Sequence, residues 1–284
     1  MTSFRTVSAG GLEIFYREAG RPGAPKVLLL GGSAAASYQF RCLLPALADR
    51  FHLLAVDYPG FGNSESPDPA GWDYTFDSLT EIVDEALLAI GFTGPMGLYL
   101  QGHGGPIGNR LISLHPDWLQ WQIIQNANSY DEGFTPIWEH VRNGFWTTRD
   151  TAPVEALLAP QTLKSVHLTG HPDPARISPD SWNLELRHLT RPWAREVQLD
   201  LLYDYRTNAA RYAAWQRRFR RDQPKTLVLW GQGDYFFTPA GGEAYLRDLP
   251  DARLIRLDSG HYALEDRLQE IVAEIKSFYH DVIR

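Results

Sequence analysis

At 284 residues, 44% of them hydrophobic, the chain is long enough for one large α/β domain, or a core with an inserted lid, with a substantial interior. Its 27 Lys+Arg against 34 Asp+Glu give a formal charge of −7, which repels phosphate backbones and argues against a nucleic-acid partner. A single cysteine, Cys42, excludes an internal disulfide; no apolar run reaches the length of a membrane span, and Met1-Thr-Ser-Phe-Arg lacks the basic-then-apolar pattern of a signal peptide, so a soluble, cytoplasmic protein with no membrane partner is expected.

Phe4 to Ala9 and Leu12 to Glu18 alternate apolar and polar residues around Gly10-Gly11, which predicts an N-terminal hairpin. Lys26-Val-Leu-Leu-Leu is the continuous apolar run of a strand buried on both faces, and it leads into the small residues Gly31-Gly32-Ser33-Ala34-Ala35-Ala36-Ser37. Tyr38 to Ala48 reads as a helix capped by Ser37, with Cys42 flanked by Phe40, Leu43 and Leu44 and therefore expected as a buried structural thiol. His52-Leu-Leu-Ala-Val-Asp57 is another strand, followed by the loop Tyr58-Pro-Gly-Phe-Gly-Asn-Ser64. Tyr74 to Ile90 places Phe76, Leu79, Ile82, Val83, Ala86, Leu87 and Ile90 at helical spacing, closed by Gly91. Strand and crossover helix thus alternate as a parallel sheet demands.

From Gly97 to Gly108, GLYLQGHGGPIG runs an apolar strand into a glycine cluster and then a helix opening at Pro106-Ile107-Gly108. Leu119 to Gln125 is a sixth strand, ending at Asn126-Ala-Asn128. From about Tyr130 to Arg221 the pattern changes to short helical pieces, many prolines and five of the nine tryptophans. The sheet resumes at Thr226 to Trp230 and Arg253 to Leu257, and an amphipathic helix spans Leu264 to about Ile283.

A strand, a sharp turn and a helix form a nucleophile elbow, which lifts one side chain above the carboxyl end of a parallel sheet. Gln101-Gly-His-Gly-Gly-Pro-Ile-Gly108 resembles the elbow of the α/β-hydrolase family, above all its Asp-nucleophile branch of haloalkane and fluoroacetate dehalogenases and epoxide hydrolases. The loop from Asp57 to Ser64 resembles that family's DxPGxGxS segment. The resemblance implies an α/β-hydrolase fold, a mostly parallel eight-stranded sheet with helices on both faces. It implies a core of residues 1–129 and 222–284 with a helical cap inserted at 130–221. It also places Gly102 where the nucleophile belongs. A rival register, reading Gly102-His103-Gly104 as a degenerate Gly-His-Ser, puts Pro106 where a small residue should stand and has no nucleophile either. Glycine adopts the positive-φ backbone of an elbow without cost, so the turn is expected to survive and the covalent attack is not.

Asp234, in Trp230-Gly-Gln-Gly-Asp234, follows one strand where the family's acid lies, and His261, in Asp258-Ser-Gly-His261, follows the next where its histidine lies. The order elbow, acid, histidine implies a His261–Asp234 dyad; taken singly, a turn-forming Asp and a loop histidine would be the plainer readings. The family's oxyanion hole implies backbone donors at His103 and Ser33, beside Gly32. Small residues at Gly31, Ser33, Ala34, Ala35 and Gly102 imply a void under the cap and a bulkier ligand than a dehalogenase takes. His103 stands where dehalogenases often place a halide-holding Trp; it is either a second acid/base or a packing residue. His167 and His171 are four apart, but Gly170 and Pro172 interrupt the helix and no acidic residue nearby completes a metal site. Arg217, Arg218, Arg220 and Arg221 read as the solvated end of a cap helix, and Tyr203 and Tyr205 resemble epoxide-polarising tyrosines, with cap packing the plainer alternative.

Two functional readings follow. One is a cofactor-free and metal-free enzyme acting on a small, largely apolar molecule by non-covalent general-base and oxyanion-hole catalysis, by hydrolysis or by lyase, isomerase or cyclase chemistry. The other is a catalytically inactive or redesigned hydrolase or dehalogenase, with Gly102 natural or introduced, that binds a small ligand without turnover. A homodimer is compatible with either.

Overall fold

The computed structural model describes residues 1–32 and 35–283. Eight strands form one sheet: β1 (Thr2–Ala9), β2 (Leu12–Ala19), β3 (Lys26–Leu30), β4 (His52–Val56), β5 (Met96–Gln101), β6 (Leu119–Gln125), β7 (Lys225–Gly231) and β8 (Arg253–Leu257), in the order β1-β2-β4-β3-β5-β6-β7-β8. β1 and β2 form the expected hairpin, β2 runs antiparallel to β4, and every pairing from β4 through β8 is parallel. This is the α/β-hydrolase fold, and its central strands are apolar throughout because helices cover both faces.

On one face lie α2 (Phe76–Ile90) and α3 (Gly104–Leu114), and on the other α1 (Leu43–Leu47) and α10 (Leu268–Phe278). The sheet sorts its own side chains accordingly, with Leu28, Leu54, Leu98 and Ile124 in the first core and Leu29, Leu53, Tyr99 and Ile123 in the second. α2 begins on a capping box between Thr75 and Ser78 and ends on Gly91 in the left-handed conformation, φ +77°.

Between β6 and β7 the chain is helical: α4 (Ile137–His140), α5 (Trp146–Thr148), α6 (Pro160–Leu168), α7 (Pro179–His188) and the long α8 (Ala194–Asp222). Trp138, Val141, Tyr205, Tyr212 and Trp215 from this stretch join the core shared with α2 and α3. α9 (Pro239–Asp248) separates β7 from β8.

Several sequence expectations need correction. The helix predicted over Tyr38 to Ala48 is a 3-10 turn, Ala36–Phe40, followed by the short α1. Ser37 lies inside that turn and caps nothing. Its N–H donates to Asp57 Oδ1 at 2.7 Å and its hydroxyl accepts from Arg17 Nε at 2.9 Å. Cys42 is exposed, because Phe40, Leu43, Leu44 and Leu47 use the inward side and leave residue 42 outside. The elbow helix starts two residues before Pro106, at Gly104. α10 is shorter than expected, preceded by a 3-10 turn at Ala263–Glu265 and followed by a π turn at Tyr279–Ile283. In the arginine cluster, Arg218 is half-buried rather than fully solvated. It donates to the Asn109 backbone carbonyl at 2.9 Å and to the Asn109 side chain, and burial lowers its pKa to about 10. Arg220 reaches the buried Asp248. No described helix is long and apolar enough to cross a membrane.

Candidate active site

β5 ends at Gln101, and the backbone reverses at Gly102, φ +52°, to enter α3. A Cβ placed on Gly102 would stand 3.4 Å from His261 Nε2 and 3.1 Å from the Gly32 Cα. The side-chain direction at residue 102 is therefore the one an elbow gives its nucleophile. Gly104 is required for a different reason: a Cβ there would meet the Leu30 carbonyl oxygen at 1.9 Å, so α3 could not start this close to β3 with any side chain.

Asp234 and His261 stand on the turns after β7 and β8, at the same end of the sheet as Gly102. His261 Nδ1 is 2.8 Å from Asp234 Oδ2, with the two side chains 5% and 0% exposed. Asp234 Oδ2 also accepts from Asn126 Nδ2 at 2.7 Å, and Oδ1 from the Phe236 N–H at 2.7 Å. Three groups thus converge on this carboxylate, the Asn126 amide, the Phe236 N–H and the His261 ring. A ring proton on Nδ1 points at Asp234, which leaves Nε2, facing Gly102, as the acceptor position. The carbonyl of His261 accepts from Gln101 Nε2 at 3.2 Å and Gln125 Nε2 at 3.3 Å, so β5 and β6 hold the histidine's backbone while Asp234 holds its ring.

The partly open cavity over this group has a volume of about 130 Å³. Gly102, His103 and His261 line it together with Trp138, Tyr205, Phe236 and Phe237, so it is chiefly aromatic and apolar. Aromatic side chains narrow the space next to Gly102, and the volume accommodates a compact ligand of about benzene size or a larger one that extends through the opening. His103 packs edge-on against Phe76, ring centroids 5.1 Å apart. Burial, with a smaller contribution from the neighbouring His261, lowers its pKa to about 4, so it is neutral at neutral pH. Gly32 lies against Gly102 as expected; Ser33 and Ala34 fall outside the described residues.

Tyr205 lines the cavity, whereas Tyr203 does not. Its ring is covered by the guanidinium groups of Arg206 and Arg149, 3.7 and 4.0 Å from the ring centroid. His167 and His171, four apart in sequence, each have one acidic neighbour. His167 lies 3.1 Å from Glu185 and His171 3.0 Å from Asp266, but among the described residues no group of three potential ligands could hold a metal. Asp57, in the loop that resembled DxPGxGxS, is structural. Its two oxygens accept from the Ser37 and Asn63 N–H groups, and Ser64 Oγ donates to its carbonyl at 2.7 Å.

Sequence reading missed Asn126 as a partner of the acid. The available signal was its position: an Asn directly after β6 stands at the carboxyl end of the sheet, where the elbow and the acid also emerge. Its backbone, φ +45°, is one that Asn tolerates better than most residues.

Residues 25–268 match the α/β hydrolase fold family. An uncharacterized hydrolase of Saccharomyces cerevisiae is 33% identical over 275 residues, 95% of this chain and 94% of that one. A cis-3-alkyl-4-alkyloxetan-2-one decarboxylase of Xanthomonas campestris is 27% identical, covering 94% of this chain and 92% of its own length. A haloalkane dehalogenase of Mycobacterium marinum is 27% identical, with 94% and 89% covered. Among solved structures, haloalkane dehalogenase DbeA from Bradyrhizobium elkanii superposes with a TM-score of 0.78 at 21% identity, over 98% of this chain and 99% of that one, a likeness of fold.

Proposed function

The chain belongs to the α/β-hydrolase family, and from that premise we propose that it acts on a compact, largely apolar organic molecule by general-base catalysis without a covalent intermediate. The observation that carries this reading is the acceptor nitrogen of His261, aimed at the side-chain position of Gly102 and backed by Asp234 at 2.8 Å. A binding protein has no need of an oriented imidazole at that point. In the proposed step, Nε2 takes a proton from water or from an acidic C–H or O–H of the substrate. Asp234 stabilises the imidazolium, which then returns the proton to the leaving group or product. Negative charge developing on a substrate oxygen is held by the backbone N–H of His103, beside Gly32. Residues 130–221 act as the cap that closes the apolar cavity over the substrate.

The relatives' names support the substrate class, since alkyl-substituted oxetan-2-ones and haloalkanes are both small and apolar. Gly102 itself favours a second reading, an inactive relative that binds such a molecule and does not convert it. A panel of esters, lactones including a cis-dialkyl oxetan-2-one, epoxides and haloalkanes separates the two. The proposal expects turnover of at least one compound, with intact-protein mass spectra showing no adduct during the reaction. An adduct would contradict the non-covalent route, and binding without turnover of any compound would favour the inactive relative.

A further inference from the structure

One wall of the cavity departs from its apolar lining. Glu185, on α7, is 1% exposed and lines the cavity, its two carboxylate oxygens buried at the wall. Among the described residues its one ion-pair partner is His167 on α6, whose Nε2 is 3.1 Å from Oε1 but not aligned for a hydrogen bond. The His167 ring stacks on Tyr262, centroids 4.0 Å apart and planes 9° from parallel, and the Tyr262 hydroxyl faces Glu185. Neither carboxylate oxygen receives a well-formed hydrogen bond. A glutamate this deeply buried is costly unless it is paired and hydrogen-bonded, and this one is paired without being satisfied. It also stands next to the dyad, because Tyr262 directly follows His261.

We propose that Glu185 is the polar anchor of the cavity, so that the ligand is a compact apolar body carrying one hydrogen-bond donor, a hydroxyl or an N–H, which the carboxylate accepts. This rests on the reading that the cavity over Gly102 is the ligand site. His167 lies against the carboxylate and Tyr262, stacked on the His167 ring, fixes the pair beside His261, so the donor end of the ligand is set in relation to the acceptor nitrogen. Glu185 is thereby a specificity-determining residue, and it discriminates strongly because a buried acceptor left without a donor penalises ligands that lack one.

The test compares phenol with toluene, similar in size and differing in the donor, binding to the full chain as followed by calorimetry. The quantity read is the ratio of the toluene Kd to the phenol Kd. Replacement Glu185→Leu is expected to lower that ratio by at least about tenfold, chiefly through phenol, and Glu185→Gln, which keeps a neutral acceptor, by an intermediate factor. A role confined to joining α6 and α7 would shift both affinities together and leave the ratio within about twofold, and that result in either variant overturns the proposal. The same ratio measured in His261→Ala is expected to match the parent. Turnover that survives in His261→Ala while the Glu185 ratio still shifts would sink the general-base reading alone. Turnover lost in His261→Ala with an unmoved Glu185 ratio would sink the anchor alone.

Discussion

Asn126 and His261 meet at one oxygen of Asp234: Asn126 Nδ2 donates to Oδ2 at 2.7 Å and His261 Nδ1 lies 2.8 Å from the same atom. Asn126 also bridges to the strand that carries the acid, its Oδ1 accepting from the Gly231 N–H at 2.8 Å and its Nδ2 reaching the Gly231 carbonyl at 3.1 Å. Glycine keeps the positive-φ backbone of residue 126 without strain, so Asn126→Gly isolates the loss of these bonds. The expected cost is about 1–3 kcal/mol of unfolding free energy, with a lower rate of any His261-dependent turnover. Urea unfolding and kinetics check it; an unchanged midpoint and rate would remove Asn126 from the dyad's support.

Replacing Gly102 by Asp puts a carboxylate on the side-chain vector that faces His261. The residue keeps φ near +52° and its Cβ stands 3.1 Å from Gly32, so we expect a cost of about 1–3 kcal/mol in stability with the fold retained. With a chloroalkane, the carboxylate displaces chloride and forms an ester with the alkyl group, which a mass increase of the protein detects. Absence of both adduct and new hydrolysis would mean that the cavity no longer admits the family's chemistry.

The depressed pKa of His103 links stability to pH. Unfolded, its imidazole titrates near 6.5; folded, burial and the nearby His261 hold it to about 4. The unfolded chain therefore binds the extra proton first, and stability is lost as pH falls from about 6.5 towards about 4, at up to about 1.4 kcal/mol per pH unit. The variant His103→Phe should show a shallower decline over that window. Parallel declines for parent and variant would show that His103 is not the group responsible.

The loop after α6 is pressed onto the loop that carries Asp234. Gly170 has φ +82°, and a Cβ there would fall 2.2 Å from the Gly233 carbonyl oxygen. Gly170→Ala combines backbone strain with overpacking and should cost about 2–4 kcal/mol, with weakened ligand binding as the wall shifts. Thermal unfolding checks this, and a loss below about 0.5 kcal/mol would mean that the contact relaxes freely.

The sheet and the dyad were legible in the sequence because both depend on local patterns in a fixed order. Apolar runs of strand length marked β3, β4, β5 and β7, and Gly97 to Gly108 announced the elbow through glycines whose necessity is steric. Asp234 and His261 could be chosen from the other acids and histidines only because each directly follows a strand. The rest depends on contacts between residues distant in sequence. Whether Cys42 faces in or out turned on how a short helix rolls against the sheet. Arg218 is half-buried because α8 crosses Asn109, over a hundred positions earlier. The aromatic residues that line the cavity, Trp138, Tyr205, Phe236 and Phe237, come from three separate segments, so its lining could not be read from any one stretch. Glu185 and His167 sit in helices whose sequence gives no sign that the two side chains meet inside.

The central claim is that an imidazole aimed at a side-chainless elbow removes a proton from substrate or water. The most direct measurement compares turnover and ligand affinity in His261→Ala with the parent protein, on whichever compound the panel identifies. The account predicts that turnover falls by about 10²–10⁴-fold while the dissociation constant stays within a few-fold. Turnover that persists undiminished would contradict it, and so would a loss of affinity as large as the loss of rate.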